Sequence, residues 1–132
     1  MATHSINWLA ILVAALAAFP LGFLWYGALF GKAWMALTGV TPEQGKAANP
    51  LKLYGSVFVL NVVIALSLCW LIGDRGVHYG VHMGLLASVA FFATGLGINY
   101  LFEFRKLRLW LINCGYMVVL MVIMGAILGA WH

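Results

Sequence analysis

Glu103 is one of three acidic residues in a chain of 132, and the residues around it have the most chemistry to offer. Asn99 stands four residues earlier, so on a helix the amide and the carboxylate share a face. Tyr100 and Arg105 flank the pair, and Asn113 and Tyr116 follow a short basic interval. Trp25, Tyr26 and Lys32 close an earlier apolar stretch, and Lys52 and Tyr54 open the next. Two readings fit. In one, Trp25, Tyr26, Lys32, Asn99, Glu103, Asn113 and Tyr116 line a polar ligand pocket, with Glu103 as proton acceptor or cation anchor. In the other, Glu103 pairs with Arg105, Lys106 or Arg108, while Asn99 and Asn113 tie helices together.

Other groups point less far. Asp74, His78 and His82 are spaced four and four, which on one helix face suits a metal held by imidazole and carboxylate. Gly76 and Gly80 interrupt that segment, so these histidines, with His4 and His132, are read as interfacial, and no metal or cofactor is expected. Met117, Met121 and Met124 share a helix face. Thioethers bind Cu(I), but no Cys or His lies at their depth on that segment, so packing is the reading. Asn61 sits deep in an apolar stretch. An amide there needs a partner, and an interhelical hydrogen bond is expected in preference to a pathway lining. There is no phosphate-binding glycine loop, no HExxH and no Ser-His-Asp pattern. No acidic residue occupies the middle of the first apolar stretch, as a small proton-coupled multidrug transporter would have.

The elements that must carry these residues are four apolar stretches, at about residues 6–30, 53–72, 79–101 and 109–130, each near the roughly twenty residues that span a bilayer core. Hydrophobic residues make up 65% of the chain and charged residues 8%, against about 25% charged in a soluble domain. The expected fold is all-α: one domain over residues 1–132, a bundle of four transmembrane helices. Continuously apolar runs such as 57–66 and 118–128 lack the alternation of a membrane β-barrel. The first stretch is too long, and too poor in basic residues ahead of it, for a signal peptide, and is read as a retained helix. Pro20 lies inside it and should kink it.

Local signals punctuate the rest. Ser5 or Asn7 can cap the first helix, Thr41-Pro42-Glu43-Gln44 has the form of a capping box, and Asn49-Pro50 starts the second span. The interval 33–40 is apolar enough to lie along a membrane surface, and 73–76 is a tight turn. Gly80, Gly84, Ser88, Gly95 and Asn99 fall on one side of a uniform helix, and Gly27/Gly31 and Gly125/Gly129 repeat at four. Such stripes let helices approach closely, within one chain or between copies. Cys69 and Cys114 lie at depths that differ by roughly 15 Å at the helical rise, beyond the reach of a disulfide.

Charge sets an expected orientation. The first and third loops carry Lys32, Lys46, Lys52, Arg105, Lys106 and Arg108, and the second carries Arg75. The positive-inside rule places the first group in the cytoplasm and both termini outside. The net charge of +4 therefore reads as orientation and headgroup contact, not as nucleic-acid binding.

Three segments together carry a resemblance: Asn7-Trp8; Leu24-Trp25-Tyr26-Gly27 through Phe30-Gly31-Lys32-Ala33-Trp34-Met35; and Leu96-Gly97-Ile98-Asn99-Tyr100-Leu101-Phe102-Glu103. Leu111-Ile112-Asn113, Gly115-Tyr116 and the closing Gly125-Ala126-Ile127-Leu128 extend it. The chain resembles, over nearly its whole length, a family of small bacterial four-helix membrane proteins catalogued as a domain of unknown function. That pattern often has a proline after the Trp-Tyr-Gly segment, where Ala28 and Leu29 stand here. The resemblance implies a multi-pass protein of the bacterial cytoplasmic membrane and no particular reaction.

The expected function is a homo-oligomer, in contact with membrane lipids, that binds or transports a small lipophilic, lipid-like or cationic molecule through the polar cluster. Two alternatives stand beside it: a membrane-embedded enzyme using Glu103, Tyr116 and Lys32 as acid–base groups, and an accessory subunit of a larger complex.

Overall fold

The computed structural model describes residues 6–132, so the readings of His4 and Ser5 lie outside it. Helix α1 runs Trp8–Leu29, α2 Gly31–Thr38, α3 Pro42–Ala47, α4 Pro50–Ile72, α5 Val77–Phe102 and α6 Leu107–Ala130. There is no strand among the described residues. Helices α1, α4, α5 and α6 are each long and apolar enough to cross a membrane, and the chain is a four-span helical membrane protein. The exterior is what lipid requires: Phe91, Leu101 and Leu60 are among many large apolar side chains facing outward.

The ends form where the sequence signals them. Asn7 accepts from the Ala10 amide at the start of α1. Thr41 and Gln44 complete a reciprocal capping box on α3. Asn49 caps α4 with Pro50 in its first turn, which starts that helix ahead of its apolar run. Gly39, Gly73 and Gly76 take positive φ where α2 ends and where the chain turns from α4 into α5, a region open to glycine.

Helix α6 is the centre of the bundle and packs against α1, α4 and α5, while α1 also packs along α4. Alanines make the α1–α4 contact close: Ala10, Ala14, Ala15 and Ala18 are buried on α1 and Ala65 on α4. Glycines make the α5–α6 contact closer still. A Cβ at Gly80 would land on the Gly125 carbonyl, one at Gly84 on the Met121 carbonyl, and one at Gly129 on the Gly76 carbonyl. Backbone meets backbone there, as small residues permit in lipid. Met121 and Met124 are core packing residues and Met117 packs against that core. Cys69 and Cys114 are buried and no disulfide joins them.

Two stretches leave α geometry. In α1 the last six residues, Leu24–Leu29, are π-helical, with the Phe30 amide donating to the Trp25 carbonyl five residues back at 2.8 Å. The expected break near Pro20 thus appears as a π turn a few residues later, and α geometry continues through the proline itself. Gly31 is required beside this turn, because a Cβ there would meet the Tyr26 carbonyl at 2.5 Å.

The second π segment, Leu86–Ala93 in α5, corrects the small-residue stripe. A π turn closes i→i+5 bonds and takes up an extra residue, so residues beyond it rotate out of the register of a uniform helix. Gly80, Gly84 and Ser88 face inward as expected, but the inward face then continues through Ala93, Gly97 and Tyr100. Gly95 has open space where its Cβ would be, and Gly95 and Asn99 are exposed.

Asn61 is buried as expected, but its Nδ2 has no hydrogen-bond partner among the described residues, so that donor does not make the anticipated interhelical bond.

Replacing Gly80 by Val should lower the thermal stability of the detergent-solubilised protein sharply, by about 2–3 kcal/mol on the scale of overpacked cores. Gly95→Ala should be neutral or stabilising by up to about 1 kcal/mol, as for glycine inside a helix with space around it. Thermal unfolding followed by circular dichroism distinguishes the two; a uniform helix would make both substitutions damaging.

Candidate functional site

At the end of the bundle carrying six of the seven lysines and arginines, side chains from α1, α5 and α6 form one hydrogen-bonded group. The Tyr26 hydroxyl donates to Asn113 Oδ1 at 2.8 Å. Asn113 Nδ2 donates to the Tyr100 hydroxyl at 2.8 Å. Asn113 on the central helix thus joins the helices on either side. Both partners depend on departures from α geometry: Tyr26 lies within the first π segment, and Tyr100 faces inward because of the second.

Three more bonds hold the surroundings by side chain to main chain. Trp25 Nε1 donates to the Ile112 carbonyl at 2.9 Å, and its indole lies against Gly115, where a Cβ would intrude at 2.9 Å. The Tyr116 hydroxyl donates to the Ala18 carbonyl at 3.0 Å, beside Gly22. Trp110 Nε1 donates to the Ala93 carbonyl, where the second π segment ends, at 2.9 Å. In lipid every main-chain polar group must be satisfied within the protein.

Beside this network a lateral groove of about 500 Å³ opens between α1, α4 and α6. Its walls are Phe19, Phe23 and Tyr26 from α1, Trp34 from α2, Leu53, Tyr54 and Val57 from α4, and Asn113 and Tyr116 from α6, with Ala18 and Gly22 at the back. The rings brace one another: Tyr26 lies 5.2 Å from Tyr116 and 5.5 Å from Trp34 between centroids, and Tyr54 meets Phe19 and Phe23 edge-on at 6.2 Å. No Asp, Glu, Lys, Arg or His lines the groove.

Measured against the seven residues named from sequence, Tyr26, Asn113 and Tyr116 line the groove and Trp25 braces it from behind through Ile112. Asn99 is exposed on the far side of α5. Lys32 is exposed near the start of α2. Glu103 lies just past the end of α5 and pairs with Arg105 at 2.7 Å, both about half exposed. That carboxylate holds the Arg105 guanidinium charged beyond its ordinary range, though an exposed pair of this kind contributes little to stability. No hydrogen bond among the described residues joins Lys32, Glu103 and Tyr116. Phe19, Phe23, Trp34 and Val57 complete the groove. They are apolar residues with no signal to separate them from lipid-facing neighbours.

The outer histidines also have places. Asp74 lies in the turn before α5, and His78 and His82 lie within its first turns, with His82 Nδ1 2.7 Å from the His78 carbonyl. Among the described residues no three His, Cys, Asp or Glu come together as a metal site.

The fold and groove define a small polytopic membrane protein with an aromatic-walled cleft between α1, α4 and α6. Over residues 9–129 the chain matches the family described as "Protein of unknown function (DUF1761)", and it belongs to that family. This bears out the resemblance read from the Trp25-Tyr26-Gly27 and Ile98–Glu103 segments. It matches no curated protein and no solved structure.

Asn113→Leu should remove both bonds at once and leave two tyrosine hydroxyls without their partner. A loss of about 1–3 kcal/mol in stability is expected, larger than the roughly 1 kcal/mol for Tyr26→Phe. Thermal melts of both variants and the wild type in one detergent check this; variants that melt with the wild type would show that the network holds nothing together.

Proposed function

We propose that this protein binds a small lipophilic molecule, neutral or cationic, in the lateral groove, which the ligand enters from the bilayer. The observation that carries this reading is the groove itself: about 500 Å³, walled by six aromatic rings and free of charged side chains. That volume falls within the range of small-molecule sites, and an apolar lining with a few convergent polar groups is their usual chemistry. Aromatic faces also attract organic cations without needing a carboxylate. Asn61 adds to the reading. It follows Val57 by one helical turn toward the middle of the bundle, and its buried amide nitrogen has no acceptor among the described residues. A ligand oxygen reaching that depth would satisfy it. Binding is favoured over catalysis because Glu103 is turned to Arg105 and the groove's own polar groups are engaged in holding helices. The glycines that would have packed a second copy are largely used within one chain, at Gly80, Gly84, Gly125 and Gly129, and the groove needs only one chain. Transport would require the ligand to leave on another side, and is the further step of the same reading.

The groove reading is tested with a small neutral aryl-diazirine, photolysed with the purified protein and mapped by mass spectrometry. Labelling of Phe19–Tyr26 and Val57 should saturate with probe concentration, while labelling of lipid-facing Phe91 and Ile98 should rise in proportion to it. Val57→Trp, which fills the groove, should weaken the saturable component at least roughly tenfold, equivalent to about 1.4 kcal/mol. Labelling in proportion to probe at every position would overturn the proposal.

The same proposal places the basic end in the cytoplasm of a bacterial inner membrane, from six basic residues against one. A cysteine at Gly45 should be shielded from a membrane-impermeant thiol reagent in intact cells and a cysteine at Asp74 labelled. The native thiols are buried and give a low background. The reverse pattern would invert the orientation.

A further inference from the structure

A second cavity, of about 210 Å³, lies on the opposite side of α6, in the angle where α5 turns into it. Its walls are Tyr100, Leu101, Arg105, Lys106, Leu107 and Trp110, over the bare Cα of Gly97. Each polar side chain at the mouth has protons to give. Tyr100 accepts from Asn113, and no described residue accepts the proton its own hydroxyl carries. Arg105 gives Nε to Glu103, and its two terminal NH2 groups make no hydrogen bond with a described residue. Its guanidinium carbon stands 5.6 Å from the Tyr100 ring centroid, which sets arginine and tyrosine at one mouth. Lys106 is exposed beside them. Glu103, the nearest carboxylate in the chain, is not among the walls. The remaining walls are apolar and continue into the lipid-facing surface through Leu101 and Leu107, both largely exposed.

We propose that this cavity is a binding site for an anionic phospholipid, its phosphate held by Arg105, Lys106 and the Tyr100 hydroxyl, its glycerol and upper acyl chain against Trp110, Leu101 and Leu107. Arg105 keeps its two terminal NH2 groups beside its bond to Glu103, and with the Lys106 ammonium and the Tyr100 proton they select a group that accepts and carries negative charge. Guanidinium groups hold phosphate oxygens in pairs of parallel bonds. The cavity sits at the basic end of the bundle, the depth at which headgroups lie when α5 and α6 span the membrane. Phe104, at the tip of the same turn, takes a positive φ of 57° and is 93% exposed. A phenylalanine in that region of backbone space is held there at a cost. The site is separate from the groove and does not rest on the reading given to it; the Tyr26–Asn113–Tyr100 bonds lie between the two.

The test uses the full chain reconstituted in nanodiscs of phosphatidylcholine and phosphatidylglycerol in equal amounts. The protein is released into mild detergent, and the lipids that stay bound are weighed by native mass spectrometry. Wild type should retain phosphatidylglycerol in preference to phosphatidylcholine. Arg105→Gln with Lys106→Gln should reduce that preference roughly tenfold or more, about 1.4 kcal/mol. Lys32→Gln with Lys46→Gln removes the same charge from the same end and should leave the preference intact. These four side chains are solvent-facing, and circular dichroism of each variant confirms the fold. Equal loss in both double variants would make the effect one of diffuse surface charge and overturn the site, as would a wild type that retains the two lipids equally.

Discussion

The contact between α5 and α6 governs the rest of the structure. Lipid offers helices no hydrophobic incentive to associate, so they must meet closely enough for dispersion and polar contacts to act. Gly76, Gly80 and Gly84 from one side and Gly125 and Gly129 from the other bring two backbones together without intervening side chains. That contact fixes α6 at the centre, and α1 and α4 then close around its other faces. It also fixes the phase of α5. Were α5 a uniform helix, the side packed by Gly80 and Gly84 would later present Gly95 and Asn99. The π segment resets the phase, so Gly97 receives the Trp110 ring and Tyr100 receives Asn113.

Polar chemistry follows the same geometry. Asn113, on the central helix, bonds both Tyr26 and Tyr100. Trp25, Trp110 and Tyr116 each give a proton to a carbonyl of a neighbouring helix. These side chains are half-buried and amphipathic, which lets each ring pack in an apolar setting while its polar atom is satisfied. The groove is the remainder: α1, bent by its π turn, and the start of α4 splay away from α6 and leave a cleft lined by aromatic rings.

Much of this was legible in the sequence. The four spans follow from apolar length alone, and the caps at Asn7, Thr41 and Asn49 follow from residue types that accept main-chain protons. The family was visible in the Trp25-Tyr26-Gly27 and Ile98–Glu103 segments. The candidate site was half legible. Tyr26, Asn113 and Tyr116 stood out because polar groups in a span need partners. Asn99 and Glu103 stood out for the same reason and lie elsewhere, because two local facts were hidden. Leu86–Ala93 carries no proline or other mark of a π turn, so the rotation that exchanges Asn99 for Tyr100 could not be read. Glu103 falls past the last turn of α5, where the turn through Phe104 hands it to Arg105. The groove walls Phe19, Phe23, Trp34 and Val57 are the same residue types that face lipid, and only packing tells them apart.

The most direct test of the account is a density map of the full chain from native-like lipid nanodiscs, read at the groove. A groove that binds a ligand should show elongated or ring-shaped density between Tyr54, Trp34 and Tyr116, in contact with the face of at least one ring and separate from the annular lipid on α5. A groove closed by inward rotation of Tyr54 and Trp34, with no density between α1, α4 and α6, would contradict it and make the aromatic cluster a packing feature of the bundle.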